Sequence, residues 1–325
     1  MSRLYIPNSV ALRNFDSLFK ENDFQFTNGR VQVEFHKNYV ALHPVGLAFY
    51  AAISDILKMK NCEFEGTINH SIRSIPFLQR MGLFKTLRFR NPISTEEHEE
   101  TGRFIPLRKI YNSAELDAFI KNIDPILHTN RENSRAIKHV FSEILRNVIE
   151  HSKSVYGGNV CATYSKKKKK ISIGISDAGI GLLESLKMYH KVENDQDAIL
   201  KALTPGISGT TSRLGGNSEN AGAGLFFTKC IATSTRNHFL IYSGSSYFKL
   251  KVTPKTKEIK FNPDPIDDIH SIRTNLPYFK GTLVGIDINI EDNTAFNNLI
   301  SNIGIAYTRG VKKAQKDYYK QINFV

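Results

Sequence analysis

Glu143-Ile144-Leu145-Arg146-Asn147-Val148-Ile149-Glu150-His151 reads as a helix with two unlike sides. At about 3.6 residues per turn, Glu143, Asn147 and His151 stand at i, i+4 and i+8, one above the other on a single face. Ile144, Leu145, Val148 and Ile149 occupy the other side and can pack on a sheet. Three polar side chains then point into one volume, although a solvated helix face would read the same way. Two stretches downstream weigh against that plainer reading. Asp177-Ala178-Gly179-Ile180-Gly181 follows an alternating strand, and Gly222-Ala223-Gly224-Leu225 opens a helix.

Asp177 comes after Ile171, Ile173 and Ile175, which alternate with small polar residues, so its carboxylate sits at a strand end. Pockets of layered α/β domains open there. A buried carboxylate at such a place can accept the exocyclic amine of adenine. Gly179 and Gly181 leave room for backbone to approach a ligand and can take positive φ. Alone, Asp-x-Gly-x-Gly is also an ordinary strand-to-loop turn. Gly222 and Gly224 at a helix start would offer unpaired N–H groups and the positive end of the helix dipole to phosphates. In this order with the Glu143 helix, each stretch supplies a different part of one nucleotide.

Upstream, residues 1 to about 28 read as a short helix or lead-in segment. Val31, Val33 and Phe35 alternate as a half-buried strand. Pro44 opens a helix carrying Leu47, Ala48, Ala51, Ile56 and Leu57, and Cys62 to Ile68 reads as a strand. Ser71 or Ser74 can cap a helix bearing Ile75, Leu78 and Met81, with His70 in the same turn. This β-α-β-α order predicts a small α/β domain over 1–90. Asn91-Pro92 and the acidic run Ser94 to Glu100 mark a linker over 91–103. The second domain, 104–292, starts with a strand from Phe104 and a helix capped by Ser113. Gly157-Gly158 leads into a strand at Val160 to Tyr164, and Lys166 to Lys170 form the tip of a hairpin. From Leu182 to Asn220 only Asp195 to Leu203 looks helical, and a loop of this length suits a lid. Strands follow at Phe239 to Ser243, Tyr247 to Val252 and Thr282 to Ile290. The block Phe261 to Pro277 reads as an excursion whose Asp264, Asp267 and Asp268 form an exposed turn or hold a cation. Residues 293–325 form a basic helical segment, with a helix expected over Thr308 to Lys320.

The Glu143–Asn147 pair, the Asp177-Ala-Gly179-Ile-Gly181 stretch and Gly222-Ala-Gly224-Leu225 resemble, in order, the three boxes of the ATPase superfamily of gyrase, Hsp-type chaperones, histidine kinases and MutL (the GHKL or Bergerat type). Gly281-Thr282 at a strand start is similar to its short fourth box. The resemblance covers roughly residues 104 to 290. His151 one turn past Asn147 is most similar to the anti-sigma-factor serine kinase branch. The first ninety residues resemble STAS-like regulatory domains in element order and in Phe77-Leu78-Gln79-Arg80-Met81-Gly82, which would make Ser71 or Ser74 a phosphate acceptor. The implied fold is an α+β two-layer sandwich behind a small STAS-like α/β domain.

The implied ligands are ATP and Mg²⁺. By the resemblance, Asn147 would bind the metal, Glu143 would orient or deprotonate the nucleophile, and Asp177 would read adenine with support from Thr282. Gly222 and Gly224 would cradle phosphate, and His151, Gly179, Gly181 and Leu225 would complete the nucleotide-binding set. Residues 182 to 221 would form the lid, from which Arg213 would reach the γ-phosphate. The first functional expectation is a regulatory protein that hydrolyses ATP slowly and changes its lid or partner contacts between nucleotide states. The second is a serine/threonine protein kinase of the anti-sigma type. The third is a non-hydrolysing ATP-gated interaction module. No dimerisation helix pair with a phosphoacceptor histidine is evident, and His139 lies on the Glu143 helix itself, which speaks against a sensor histidine kinase.

Composition frames these expectations. Hydrophobic residues make up 41% of 325, and the mean hydropathy of -0.30 fits a chain with a packed core. No run approaches the roughly 18 apolar residues that span a bilayer. Cys62, Cys161 and Cys230 have no metal-like spacing, so a reducing cytoplasm is expected. The net charge of +13, from 44 basic and 31 acidic residues, would attract nucleic acid or another polyanion. A protein partner is expected through the N-terminal domain, and the sequence leaves the oligomeric state open.

Overall fold

The computed structural model describes residues 2–27, 29–66, 72–88, 104–121, 123, 131–209, 211, 222–289 and 296–322, the side chains of 131–133, 136, 296–297 and 317–322 excepted. The protein is a mixed α/β structure built on a seven-stranded sheet. Its strands are β6 (Phe104–Ile110), β7 (Gly158–Ser165), β8 (Lys170–Asp177), β9 (Phe239–Gly244), β10 (Ser246–Leu250), β11 (His270–Arg273) and β12 (Phe279–Asn289). They lie in the order β11-β10-β9-β12-β8-β7-β6. Every neighbouring pair is antiparallel.

Because side chains alternate along a strand, β8 and β12 each present two different faces. Ile173, Ile175, Val284 and Ile286 belong to one buried core with Ile144 and Leu145 of α5 (Arg131–His151) and Phe226 of α8 (Gly224–Ser234). Leu283 of β12, Tyr242 of β9 and Cys161 of β7 belong to another core, shared with the N-terminal elements. The sheet is therefore covered on both sides.

The N-terminal cover contains β1 (Ser2–Ile6), β3 (Arg30–Phe35) and β5 (Glu63–Glu65) in a parallel three-stranded sheet, and a small parallel pair, β2 (Ser9–Val10) and β4 (Ala41–Leu42). Its main helix, α1 (Pro44–Met59), is buried at every position from Pro44 to Leu57. A helix that is apolar all round belongs inside a protein. Pro44 stands in its first turn, and the His43 Nδ1 accepts a hydrogen bond from the Val45 N–H at 3.0 Å as the N-cap. The short helices α2 (Ile75–Arg80) and α3 (Leu83–Thr86) complete the cover.

Two glycines let α1 reach the sheet. Gly174 and Gly285 are direct cross-strand partners. A Cβ on Gly174 would lie 2.1 Å from the Pro44 carbonyl oxygen, and one on Gly285 would lie 2.6 Å from the Val45 and Leu12 side chains. Polar groups flank this bare patch. The Asp287 carboxylate accepts from His43 Nε2 (2.9 Å), Ser172 Oγ (2.5 Å) and Lys170 Nζ (2.5 Å). Since His43 Nδ1 accepts from Val45, Nε2 carries the proton. Burial acts against the charge of Asp287, but the His43 and Lys170 groups outweigh it and hold the carboxyl well below its usual range. Nearby, Asp55 of α1 takes hydrogen bonds from Lys109 and, at 2.9 Å, from Asn159 Nδ2. Ser176 Oγ donates to the Ala48 carbonyl at 2.7 Å.

Four local expectations change. Residues 2–6 form a strand ahead of the expected short helix, a 3-10 helix over Leu12–Phe19: Leu4 and Ile6 alternate into the core, and Pro7 ends a run too short to show a sustained period. Residues within the expected loop after Leu182 form α6 (Gly181–Lys187), ahead of the expected helix, here α7 (Asp195–Ala202). Gly181 concealed α6 because its positive φ of 76° turns the chain immediately into that helix. The block from Phe261 is not only an excursion, since His270–Arg273 joins the sheet as its edge strand, where polar residues are tolerated. The C-terminal helix, α9 (Phe296–Ile322), begins well before Thr308. The remaining helix, α4 (Ser113–Lys121), lies where the sequence places it, but its cap is Asn112 rather than Ser113: the Asn112 Oδ1 accepts from the Glu115 N–H at 3.0 Å. His70, Ser71 and the 91–103 segment fall outside the described residues, whereas Ser74 Oγ accepts from the Val40 N–H at 3.1 Å.

Candidate functional site

The α5 row faces a cavity of about 260 Å³. Glu143, Asn147 and His151 line it together, as their one-turn spacing requires. Asp177 and Thr282 line it from the sheet, Gly181 from the start of α6, and Gly222, Gly224 and Leu225 from the start of α8. Three pieces of chain far apart in sequence thus meet around one space.

Asp177 ends β8, pairs across to β7, and is only 2% exposed. Its carboxylate Oδ1 accepts from the Gly179 N–H at 2.8 Å, and the Thr282 N–H donates to it as well. Burial pushes the carboxyl up to about 7, against the opposing pull of those two donors. An acid in this state exchanges its proton readily near neutral pH, and it favours any ligand group that can donate to its charged form.

The glycines of this turn do different jobs. Gly179 is not on the cavity wall: a Cβ there would lie 2.0 Å from the Ser152 carbonyl, so the turn nests against the C-terminal end of α5. The Ile180 N–H closes that contact by donating to the same carbonyl at 2.8 Å. Gly181 is on the wall, beside Ser243, whose Oγ accepts from the Leu182 N–H (3.0 Å) and donates to the Gly281 carbonyl (2.8 Å). Gly281, at φ +114°, would bring a Cβ within 2.2 Å of the Asp177 carbonyl oxygen. Ser243 therefore ties the Asp177 turn to the strand that carries Thr282.

At the other side of the cavity, Gly222 (φ +64°) lies against the Ile207 carbonyl, and its own carbonyl accepts from the Gly206 N–H at 3.2 Å. The two ends of the 207–222 segment are clasped there. Arg213 lies outside the described residues. Gly224 brings α8 onto the α5 row, since a Cβ on it would sit 2.7 Å from Glu143 Oε2 and 3.5 Å from Asn147 Nδ2. The first N–H groups of a helix lack partners within it, so α8 directs donors and the positive end of its dipole toward Glu143 and Asn147.

His139 belongs to the same row one turn before Glu143, and it lines the cavity too. Among the described residues its buried Nε2 has no hydrogen-bond partner, and its ring lies 5.7 Å from that of Phe227. Burial lowers its pKa, with Glu143 acting the other way and Arg146 adding to the shift. The signal for it was the i, i+4 spacing that picked out the other three. Burial likewise lowers the pKa of His151, with Glu150 opposing.

The acids of the 261–277 block resolve differently from an open cation site. Asp268 holds the ammonium of Lys229, a fully buried α8 residue, at 2.5 Å, and the Asn262 carbonyl accepts from the same group at 2.9 Å. Asp264 caps the adjacent turn by accepting from the Ile266 N–H at 3.0 Å. The cation is thus a side chain of the protein, and the pair fixes α8 to the strand edge.

Among the described residues, no helix is long and apolar enough to cross a membrane, and no cluster of three or more His, Cys, Asp or Glu side chains is arranged to hold a metal. A site using Asn147 would therefore take a hard cation through one amide oxygen, with the ligand and water supplying the rest. The chain matches no family model, and comparison with curated proteins gives no match either.

Proposed function

We propose that the cavity binds an adenine nucleoside triphosphate with Mg²⁺, and that the protein is an ATP-binding regulator with slow hydrolytic turnover on the GHKL (Bergerat) plan. The carrying observation is Asp177, a buried carboxylate at the floor of a cavity whose wall is the Glu143–Asn147 row and whose rim is a glycine-bearing helix start. The antiparallel sheet with α5 and α8 packed on one face supports that reading.

The residues present suit such a ligand. Asp177 would accept the adenine amine, and the Gly222–Gly224 backbone would donate to phosphate. Asn147 offers a hard oxygen to Mg²⁺, which supplies charge neutralisation on the phosphates when bound. Glu143, beside that position, would orient a water or hydroxyl and take its proton. His139 Nε2, one turn away and without a hydrogen-bond partner among the described residues, would hold the Glu143 carboxylate in place.

Calorimetry with a non-hydrolysable ATP analogue, with and without Mg²⁺, tests the binding reading, and GTP analogues test the base. Binding of the adenine form that strengthens with Mg²⁺ is expected. No heat with either base, or equal affinity for both, refutes the reading. Phosphate release from purified protein then separates turnover from binding alone, and label transferred to a protein serine identifies a kinase.

A further inference from the structure

Helix α9 has one face inside the protein and one outside. Ile303 is fully buried, Tyr307 packs against Phe226 and Phe227 at ring distances of 6.2 and 6.1 Å, and Gly310 fits tightly between Pro205 and Pro263. The outer face carries Arg309, Lys312, Lys313 and Lys316, all exposed. None of the four is paired with an acid among the described residues, and no acid occurs from residue 296 to residue 316. Asp317 is the next acid along the chain, and its side chain is not described.

We infer that this outer face of α9 is a docking surface for the phosphate backbone of nucleic acid, bound without regard to base sequence. At a helical rise of about 1.5 Å per residue, the four cations span about 10 Å of one helix side. That length of duplex presents about six phosphates, so each cation has one within reach. Alternative anionic partners fit less well. A protein interface is centred on aromatic or aliphatic anchors and is depleted in lysine, whereas Ile305, 50% exposed, is the only large apolar side chain exposed on this face among the described residues. A membrane-surface helix needs its apolar face free to enter lipid, and here that face is already packed on α8. Four cations with one phosphate each in reach account for the whole face, so its contacts position a duplex without selecting a sequence.

The inference does not depend on the nucleotide reading, and its test uses the full chain without ATP. Fluorescence anisotropy with a labelled DNA duplex of arbitrary sequence is measured over a range of salt. With about four phosphates neutralised, the logarithm of affinity should fall by about 3 to 4 per decade of salt. The combined variant Arg309→Gln, Lys312→Gln, Lys313→Gln and Lys316→Gln should weaken binding on the order of 100-fold and flatten that dependence. All four side chains are exposed, so its far-ultraviolet circular dichroism and melting should match the wild type. Lys166→Gln, Lys167→Gln and Lys168→Gln at the β7–β8 hairpin tip remove charge elsewhere and should change affinity less than about three-fold. Equal losses in both variants would reduce the effect to net charge and overturn the proposal. So would no DNA binding, tighter binding to poly-glutamate, or tighter binding to vesicles containing phosphatidylserine.

Discussion

Asp177→Asn is the most informative single change, because it removes a titration without changing the shape of the side chain. The carboxyl is raised from an ordinary 3.8 to about 7 by burial. A group whose folded pKa lies above its unfolded value takes up a proton on folding between those two pH values. Its charged form therefore opposes folding more strongly as pH rises from about 4 to about 7, and the opposition is constant above that. Each tenfold displacement of a protonation equilibrium is about 1.4 kcal/mol, so the full effect is about 4 kcal/mol at pH 8, of which about 2 to 3 kcal/mol develops between pH 5 and pH 8. Asparagine keeps an oxygen for the Gly179 N–H but has no proton to lose. The amide's own burial adds an offset that does not vary with pH. Urea unfolding at the two pH values should thus show the variant gaining about 2 to 3 kcal/mol on the wild type as pH rises. Adenine binding should act in the opposite sense. A donor to the charged form lowers the pKa, so nucleotide binding at pH 6 should release a proton, detectable by calorimetry in buffers of different ionisation heat. The variant should release none and should lose adenine-nucleotide affinity. A stability difference that does not change with pH, or nucleotide binding that survives the substitution, would falsify the role given to this carboxyl.

Three further perturbations test the neighbouring groups. Glu143→Gln keeps the bulk that Gly224 packs against, so nucleotide affinity should stay within about three-fold while turnover falls at least about 100-fold; unchanged phosphate release removes Glu143 as the base. Asn147→Ala should erase the strengthening of nucleotide binding by Mg²⁺ while leaving metal-free binding in place, and an undiminished metal effect in calorimetry rules out Asn147 as ligand. Gly174→Ala places a methyl group against the Pro44 carbonyl on the opposite side of the sheet and should lower stability by about 1 to 3 kcal/mol by urea unfolding; a neutral result shows that α1 does not sit on this strand.

The α5 row was legible because a helix repeats its faces. Glu143, Asn147 and His151 needed only their spacing to be grouped, and Ile171 to Asp177 showed the period of a strand just as plainly. The same rule contains His139, one turn before Glu143 on the same face. Other parts had no local signal. Gly179 reads as a ligand-facing glycine, yet it is glycine because the Ser152 carbonyl fills the space beside it. Nothing in the Asp264–Asp268 stretch announces that its cation is Lys229, which lies on another element. Such pairings depend on where the chain returns in space, and periodicity carries no information about that.

The strongest case of this kind is the back of the sheet. Ser172, Gly174 and Ser176 alternate with isoleucines, and from sequence they look like the solvent side of a half-buried strand. The structure gives each of them a partner in or beside the N-terminal helix: Ser172 shares Asp287 with His43, Gly174 lies on Pro44, and Ser176 donates to Ala48. Small polar residues and glycine can mean water, or they can mean a backbone at van der Waals distance, and the two readings differ only in what else the chain brings there. The consequence reaches the cavity. Asp177 is the next residue after Ser176, and Thr282 precedes Leu283, whose side chain joins the N-terminal core. Alternate residues of the same two strands thus face the N-terminal helix and the candidate nucleotide site, with no loop between them to absorb a displacement. A change that lifts α1 from Gly174 and Gly285 must move the strand ends that hold the Asp177 carboxylate, or break the hydrogen bonds that keep them in register.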